Sequence, residues 1–212
     1  MVLTLCACKS SEVKAVEEQI NELGAIERIA LTDGPAIKAA SDAYLALSDK
    51  DQQNVENYAT LENAEKEYND LVSLSLSLSK EIICSIAGLY MDSYVVSYVD
   101  YEQMLNDGTI SQDQADELFA MLNSFWGRGL STEDNTLSDV LEGLNMILEV
   151  QPDNEYALLL VELCGKADTY RELAVTIYTS GSVPSDAEEI IDDYKTNFSD
   201  LQSQLSALEA AA

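Results

Sequence analysis

The side chains best suited to chemistry in this chain are its carboxylates and its tyrosines. Thirty-nine Asp and Glu stand against eleven Lys and Arg, and there is no histidine. The commonest proton carrier at neutral pH is therefore missing, along with the commonest metal ligand and every Ser-His or Cys-His nucleophile pair. Two carboxylates held at fixed separation across a cleft could hydrolyse a glycoside, but no motif singles out two of the thirty-nine. Asp186, Glu188, Glu189, Asp192 and Asp193 crowd one segment. Acids there favour the positive end of a helix dipole and read as a solvated face, since a hard cation needs ligands converging from several segments. Residues 106–113 are similar to the middle of a calcium loop. With Gly108 in sixth place, however, Gln103, Leu105 and Gln114 fall on ligand positions, so the segment reads as a glycine turn before a capped helix. With no C-x-x-C pair and no histidine, no metal site and no cofactor is expected.

Tyr90, Tyr94, Tyr98 and Tyr101 form the sharpest pattern of the second half. At ~100° per residue they lie along one helix stripe, beside the face made by Ile82, Ile86, Leu89 and Val96. Such a stripe serves either as a core rim, with rings buried and hydroxyls wet, or as a groove for a peptide or sugar. Phe125-Trp126-Gly127 ends the next helix, where an aromatic pair before glycine makes a buried C-cap. If Trp126 instead shares an exposed groove with the tyrosine stripe, that groove is the binding site.

The elements that position these residues are helices. The three prolines, at 35, 152 and 184, each sit where a helix should begin. Ser48 with Asp51 reads as a cap, and Ser111 to Gln114 and Ser185 to Glu188 read as capping boxes. The pattern predicts helices over 12–23, 34–47, 50–57, 60–106, 112–127, 136–150, 153–179 and 186–209. Residues 72–78 alternate with period two, as a strand would. Leu71, Leu74, Leu78, Ile82, Ile86 and Leu89 nevertheless fall at helical spacing, and a lone strand would have no partner, so helix is expected. Residues 148–157 are similar to a junction between tetratricopeptide repeats; a single copy reads as an ordinary helix–turn–helix.

Leu5-Cys6-Ala7-Cys8 resembles the lipobox that ends a bacterial lipoprotein signal peptide. The resemblance implies that Cys8 carries a lipid, which would tether the protein to the outer face of a membrane without spanning it. Residues 2–5 are shorter than the ~7–15 apolar residues of a signal core. No run of ~18 apolar residues occurs elsewhere. Cys84 and Cys164 lie in apolar contexts and read as small buried hydrophobes, a disulfide between them being the alternative.

Residues 12–71 carry Ile20-x-x-Leu23-Gly24, then Ile37-x-x-Ala40-x-x-x-Tyr44-x-x-Leu47, and finally Val55-x-Asn57-Tyr58-x-x-Leu61-x-x-Ala64-Glu65. This segment resembles the short helical modules repeated in surface proteins of Gram-positive bacteria. The resemblance implies a structural or adhesive unit and supplies no catalytic residue. Tyr44, Leu47, Val55, Tyr58, Leu61 and Tyr68 supply the apolar faces of short helices that can close on one another, with Asn57 breaking two helices by bonding local backbone.

The fold class expected is all-α: a small three- or four-helix module at 12–72, then an antiparallel acidic bundle at 73–212, linked by a long shared helix, with 1–11 as signal remnant and tether. Apolar residues make up 47% of the chain, enough for a core despite a net charge of -28. Eleven bases cannot build the cationic footprint that nucleic acid needs. The expected function is a non-catalytic extracellular lipoprotein that binds a protein, peptide or glycan at the cell surface. Its acidity would favour basic partners or divalent cations. The alternatives are a carboxylate-dependent enzyme acting on cell-wall or carbohydrate substrates, and a pure spacer.

Overall fold

The structure is a computed structural model that describes residues 9–131 and 135–211. Cys8, the expected lipid attachment residue, lies outside the described residues. Those described form helices and no strand, so the fold is all-α. The helices are α1 (Ser11–Gly24), α2 (Gly34–Leu45), α3 (Asp49–Gln52), α4 (Tyr58–Tyr90), α5 (Val96–Asn106), α6 (Gln112–Ser131), α7 (Thr136–Val150), α8 (Glu155–Ser180), α9 (Ala187–Asp193) and α10 (Ser199–Ala211). Two wide π turns, Met91–Val95 and Tyr194–Phe198, join α4 to α5 and α9 to α10 without a break.

Local signals account for most helix ends. Ser10 and Ser48 accept from the amides of Val13 and Asp51, each at 3.2 Å. Ser111 and Gln114 form the expected capping box, and Asn154 caps α8 by accepting from Ala157 at 3.0 Å. The Ser185 box does not form. The first turn there closes through the Ala187 amide to the Pro184 carbonyl, and Asp186 takes the cap position without a side-chain bond. Helix over 50–57 is also corrected: α3 ends at Gln52, where the Asn54 side chain donates to the Lys50 carbonyl at 2.8 Å and turns the chain. Helix α6 runs past the expected stop at 127 to Ser131.

The period-two leucines lie in α4. Val72, Leu76, Ile83 and Ala87 are buried, while Leu74 and Leu78 remain 57% and 48% exposed. Alternation thus marks a helix with two apolar faces, only one of them covered. By length and composition the helical stretch Tyr58–Asn106 could cross a membrane, and 39% of its most apolar window is buried inside the protein.

The chain divides into two compact units, Met1–Ser75 with Asn145–Pro152, and Leu76–Leu144 with Asp153–Ala212. The assignment of 145–152 to the first unit departs from the contiguous division expected of the sequence. Within the first unit Val13, Val16, Ile20 and Leu23 of α1 are buried with Ile37 and Ala40 of α2 and Leu61, Ala64 and Tyr68 of α4. Tyr44 stacks on Tyr58 at 4.3 Å. Asn57 does not bond local backbone as expected; it reaches α1, donating to the Glu17 carbonyl at 2.8 Å and to Asn21 at 3.0 Å. Glu17 also accepts from the Glu56 amide at 2.9 Å, and that bond, with the Lys9 ammonium beside it, holds its carboxyl below the ordinary range.

Gly34 is fixed by Tyr68. A Cβ at 34 would lie 2.5 Å from the Tyr68 hydroxyl and 2.6 Å from Cζ, so only glycine lets the ring lie against the start of α2. The hydroxyl itself is buried and makes no hydrogen bond among the described residues. Two outcomes are expected in urea denaturation. Gly34→Ala costs about 1–3 kcal/mol by overpacking. Tyr68→Phe stabilises by about 1–3 kcal/mol, because it removes a buried hydroxyl that has no hydrogen bond.

In the second unit α8 is the central element. Ala157, Leu160, Leu163, Ala167, Tyr170, Ala174 and Ile177 are buried at spacings of three and four, which makes one continuous seam. Packed on α8 are α6, α9, α10 and both π turns. Cys164 is buried in that seam, its thiol directed at the Leu137 carbonyl, while Cys84 receives the Gln202 amide at 3.2 Å. Both cysteines are free thiols, so the disulfide alternative is not what the structure adopts.

Candidate functional site

The tyrosine stripe does not form an exposed groove. Tyr90, Tyr94 and Tyr98 are buried, Tyr94 completely, and Tyr101 is half-buried. Each i,i+4 step overshoots a full helical turn by about 40°. The π turn at Met91–Val95 absorbs an extra residue and brings Tyr94 and Tyr98 back into line with Tyr90. Tyr94 donates its hydroxyl to Asn123 at 2.9 Å, and Tyr98 packs on Phe119 with centroids 4.5 Å apart. Burial pushes the Tyr94 hydroxyl far above its usual pKa, with the neighbouring Tyr98 adding to the effect. Trp126 is half-buried and meets Phe125 edge-on at 4.9 Å; Phe125, expected in a buried cap, is 75% exposed. Aromatic periodicity identified the face correctly, but α6 and α8 cover it.

The structure instead opens a groove between two helix faces within the second unit. Val96, Val99, Asp100 and Gln103 of α5 recur at spacings of three and one, so an apolar row runs beside a polar row. The segment after α8 mirrors this with Ala187, Glu188, Ile191, Asp192 and Lys195, and the stretch 183–185 closes one end. The cavity between them is about 440 Å³. Valines and Ile191 form its floor, and Asp100, Glu188 and Asp192 stand exposed at its rim with Lys195. A second depression of about 420 Å³ in the first unit opens more widely to solvent. Ile37 and Val150 are its aliphatic lining, and its Lys38 is already tied to Asp42 at 2.7 Å.

A clamp sets the position of the groove's second wall. Asp193, expected on a solvated face, turns inward. It accepts from Lys166 at 2.8 and 3.0 Å, from the Tyr170 hydroxyl at 2.8 Å and from Asn197 at 2.7 Å. The next residue, Tyr194, donates to Asp92 at 2.7 Å. Its ring packs edge-on against Tyr170 at 5.3 Å, and Phe198 completes the cluster. Adjacent side chains thus pin the end of α9 to α8 through Asp193 and to the π turn before α5 through Tyr194. Just before these pins, Ile191 and Asp192 line the gap beside α5. Burial pushes the Tyr170 and Tyr194 hydroxyls well up, and their carboxylate partners push them further. For Asp193 burial alone would raise the carboxyl; the bonds from Lys166, Asn197 and Tyr170 outweigh it and hold the group below its ordinary value.

Asp186, Glu188, Glu189, Asp192 and Asp193 do not converge. Among the described residues no three carboxylates or thiols gather as a metal site would require. Compared with known proteins, the chain matches no family model, no curated protein and no solved structure.

The clamp generates a pH signature. Because the folded carboxyl of Asp193 lies below its ordinary 3.8, its stabilisation is whole above that value and is lost as pH falls through the folded one. Asp193→Asn is expected to cost about 1.5–3 kcal/mol at pH 7, the range for hydrogen bonds to a charged group. The gap between wild-type and variant urea midpoints should narrow below about pH 4. A gap independent of pH would mean that Asp193 acts by packing alone.

Proposed function

We propose that this chain is a non-catalytic binding module, tethered by lipid on Cys8 to the outer face of a bacterial membrane, with residues 12–71 as a helical surface module. The observation that carries the binding reading is the groove between α5 and α9, where half-buried Val96 and Val99 are left without a covering element. A spacer would have no need of such a gap, since apolar area left in water forgoes about 25 cal/mol per Å². Among the described residues the carboxyls that shift, Glu17, Asp193 and Glu209, all shift downward under ion pairs or hydrogen bonds. A general acid needs the opposite, a carboxyl that keeps its proton near neutral pH. This favours binding over carboxylate catalysis. The tether reading is supported by the Leu5-Cys6-Ala7-Cys8 sequence.

The reading is tested with Nile red, a neutral apolar dye. Its fluorescence should rise with the wild-type protein, and Val99→Asn should remove most of that rise while shifting Tm by only a few degrees, as expected of a half-exposed position. A dye signal indifferent to Val99→Asn would place the apolar ligand site elsewhere. For the tether, cells fed an alkyne-bearing palmitate should label the exported protein and fail to label Cys8→Ser.

A further inference from the structure

We infer that the groove between α5 and α9 takes a basic peptide segment of a partner protein, an apolar side chain flanked by Lys or Arg. The inference rests on the binding reading above and names its ligand class. Two properties of the groove point to this occupant. The floor is aliphatic, with Val96, Val99 and Ile191 contributing no hydrogen-bonding group. The rim is acidic on both walls: Asp100 on α5 faces Glu188 and Asp192 across the gap, and Lys195 is the cation among them. An apolar side chain can therefore enter the floor while positive charges beside it in sequence meet carboxylates on either wall.

Charge complementarity of this kind also raises the encounter rate, and the whole chain at -28 adds a long-range attraction for any basic partner. An acidic or neutral polar segment would lose both contributions and leave the rim carboxylates facing like charge or nothing. A peptide fits the shape better than a small amphiphile does. The gap lies open along two helix faces, and Gln103 and Ser185 at its edges offer polar groups suited to a peptide backbone. The clamp at Asp193 and Tyr194 holds the second wall fixed, so the rim is preorganised for the partner's charges.

Fluorescence anisotropy with three labelled peptides tests the proposal: a leucine core flanked by lysines, the same core flanked by glutamates, and lysine flanks around serines. The lysine–leucine peptide should bind at least about tenfold more tightly than either of the others, and less tightly as salt rises. The double variant Asp100→Asn with Glu188→Gln should weaken it about tenfold. Neutralising two acids of the first unit, Glu12→Gln with Glu22→Gln, should change little. Equal weakening by both pairs would overturn the proposal, because the attraction would then belong to bulk charge. Should lysine- and glutamate-flanked peptides bind alike, with Val99→Asn weakening both, the basic partner is overturned while the groove remains a binding site. No peptide binding, together with a Nile red signal insensitive to Val99→Asn, removes the binding reading as well.

Discussion

A regular α-helix cannot keep residues four apart on one face for long, because each step of four overshoots the turn. The second unit depends on how that drift is cancelled. The π turns Met91–Val95 and Tyr194–Phe198 each widen a helix locally, and both pack on α8. The first keeps Tyr90, Tyr94 and Tyr98 on the buried side. The second lets Tyr194 and Phe198 share one aromatic cluster with Tyr170. Since Val96 follows the first turn directly and Asp192 and Asp193 precede the second, the same two turns phase the walls of the groove. Core packing and surface chemistry are therefore set by one geometric correction made twice.

The polar clamp adds specificity to this packing. Asp193 satisfies donors from Lys166, Tyr170 and Asn197 at once, and a half-buried carboxylate with that many partners is held where it stands. Dispersion and apolar burial along the α8 seam supply cohesion but little directional preference. The hydrogen bonds of Asp193 and Tyr194 supply the direction, fixing which side of α9 faces inward and hence that Glu188 and Asp192 face out along the rim.

Much of this was legible in the residues. The helical class followed from apolar spacing and from prolines at helix starts, and the Ser48 and Ser111 caps formed as their spacing required. What failed has physical causes. Tyrosine periodicity locates a face but is silent on what covers it, so it left core rim and groove both open, and burial makes it core. Five acids in one segment look alike in sequence, yet Asp193 alone finds a lysine and a tyrosine one helical turn apart on α8. The apolar and polar rows of α5 and α9 are each visible at spacings of three and four; that they face each other is a tertiary fact.

The uncovered leucines of α4 have a consequence for the unfolded chain. Residues 71–79 hold no charge, proline or glycine and alternate leucine with serine, the composition of a segment able to stack in cross-β register with its own copies. Helix formation withholds the backbone of this stretch from such pairing, although Leu74 and Leu78 stay in view. Asp70 on one side and Lys80 with Glu81 on the other are placed as gatekeepers. Heat or acid that unfolds α4 would expose this segment to fibril nucleation, and acid would also neutralise two of its three guards.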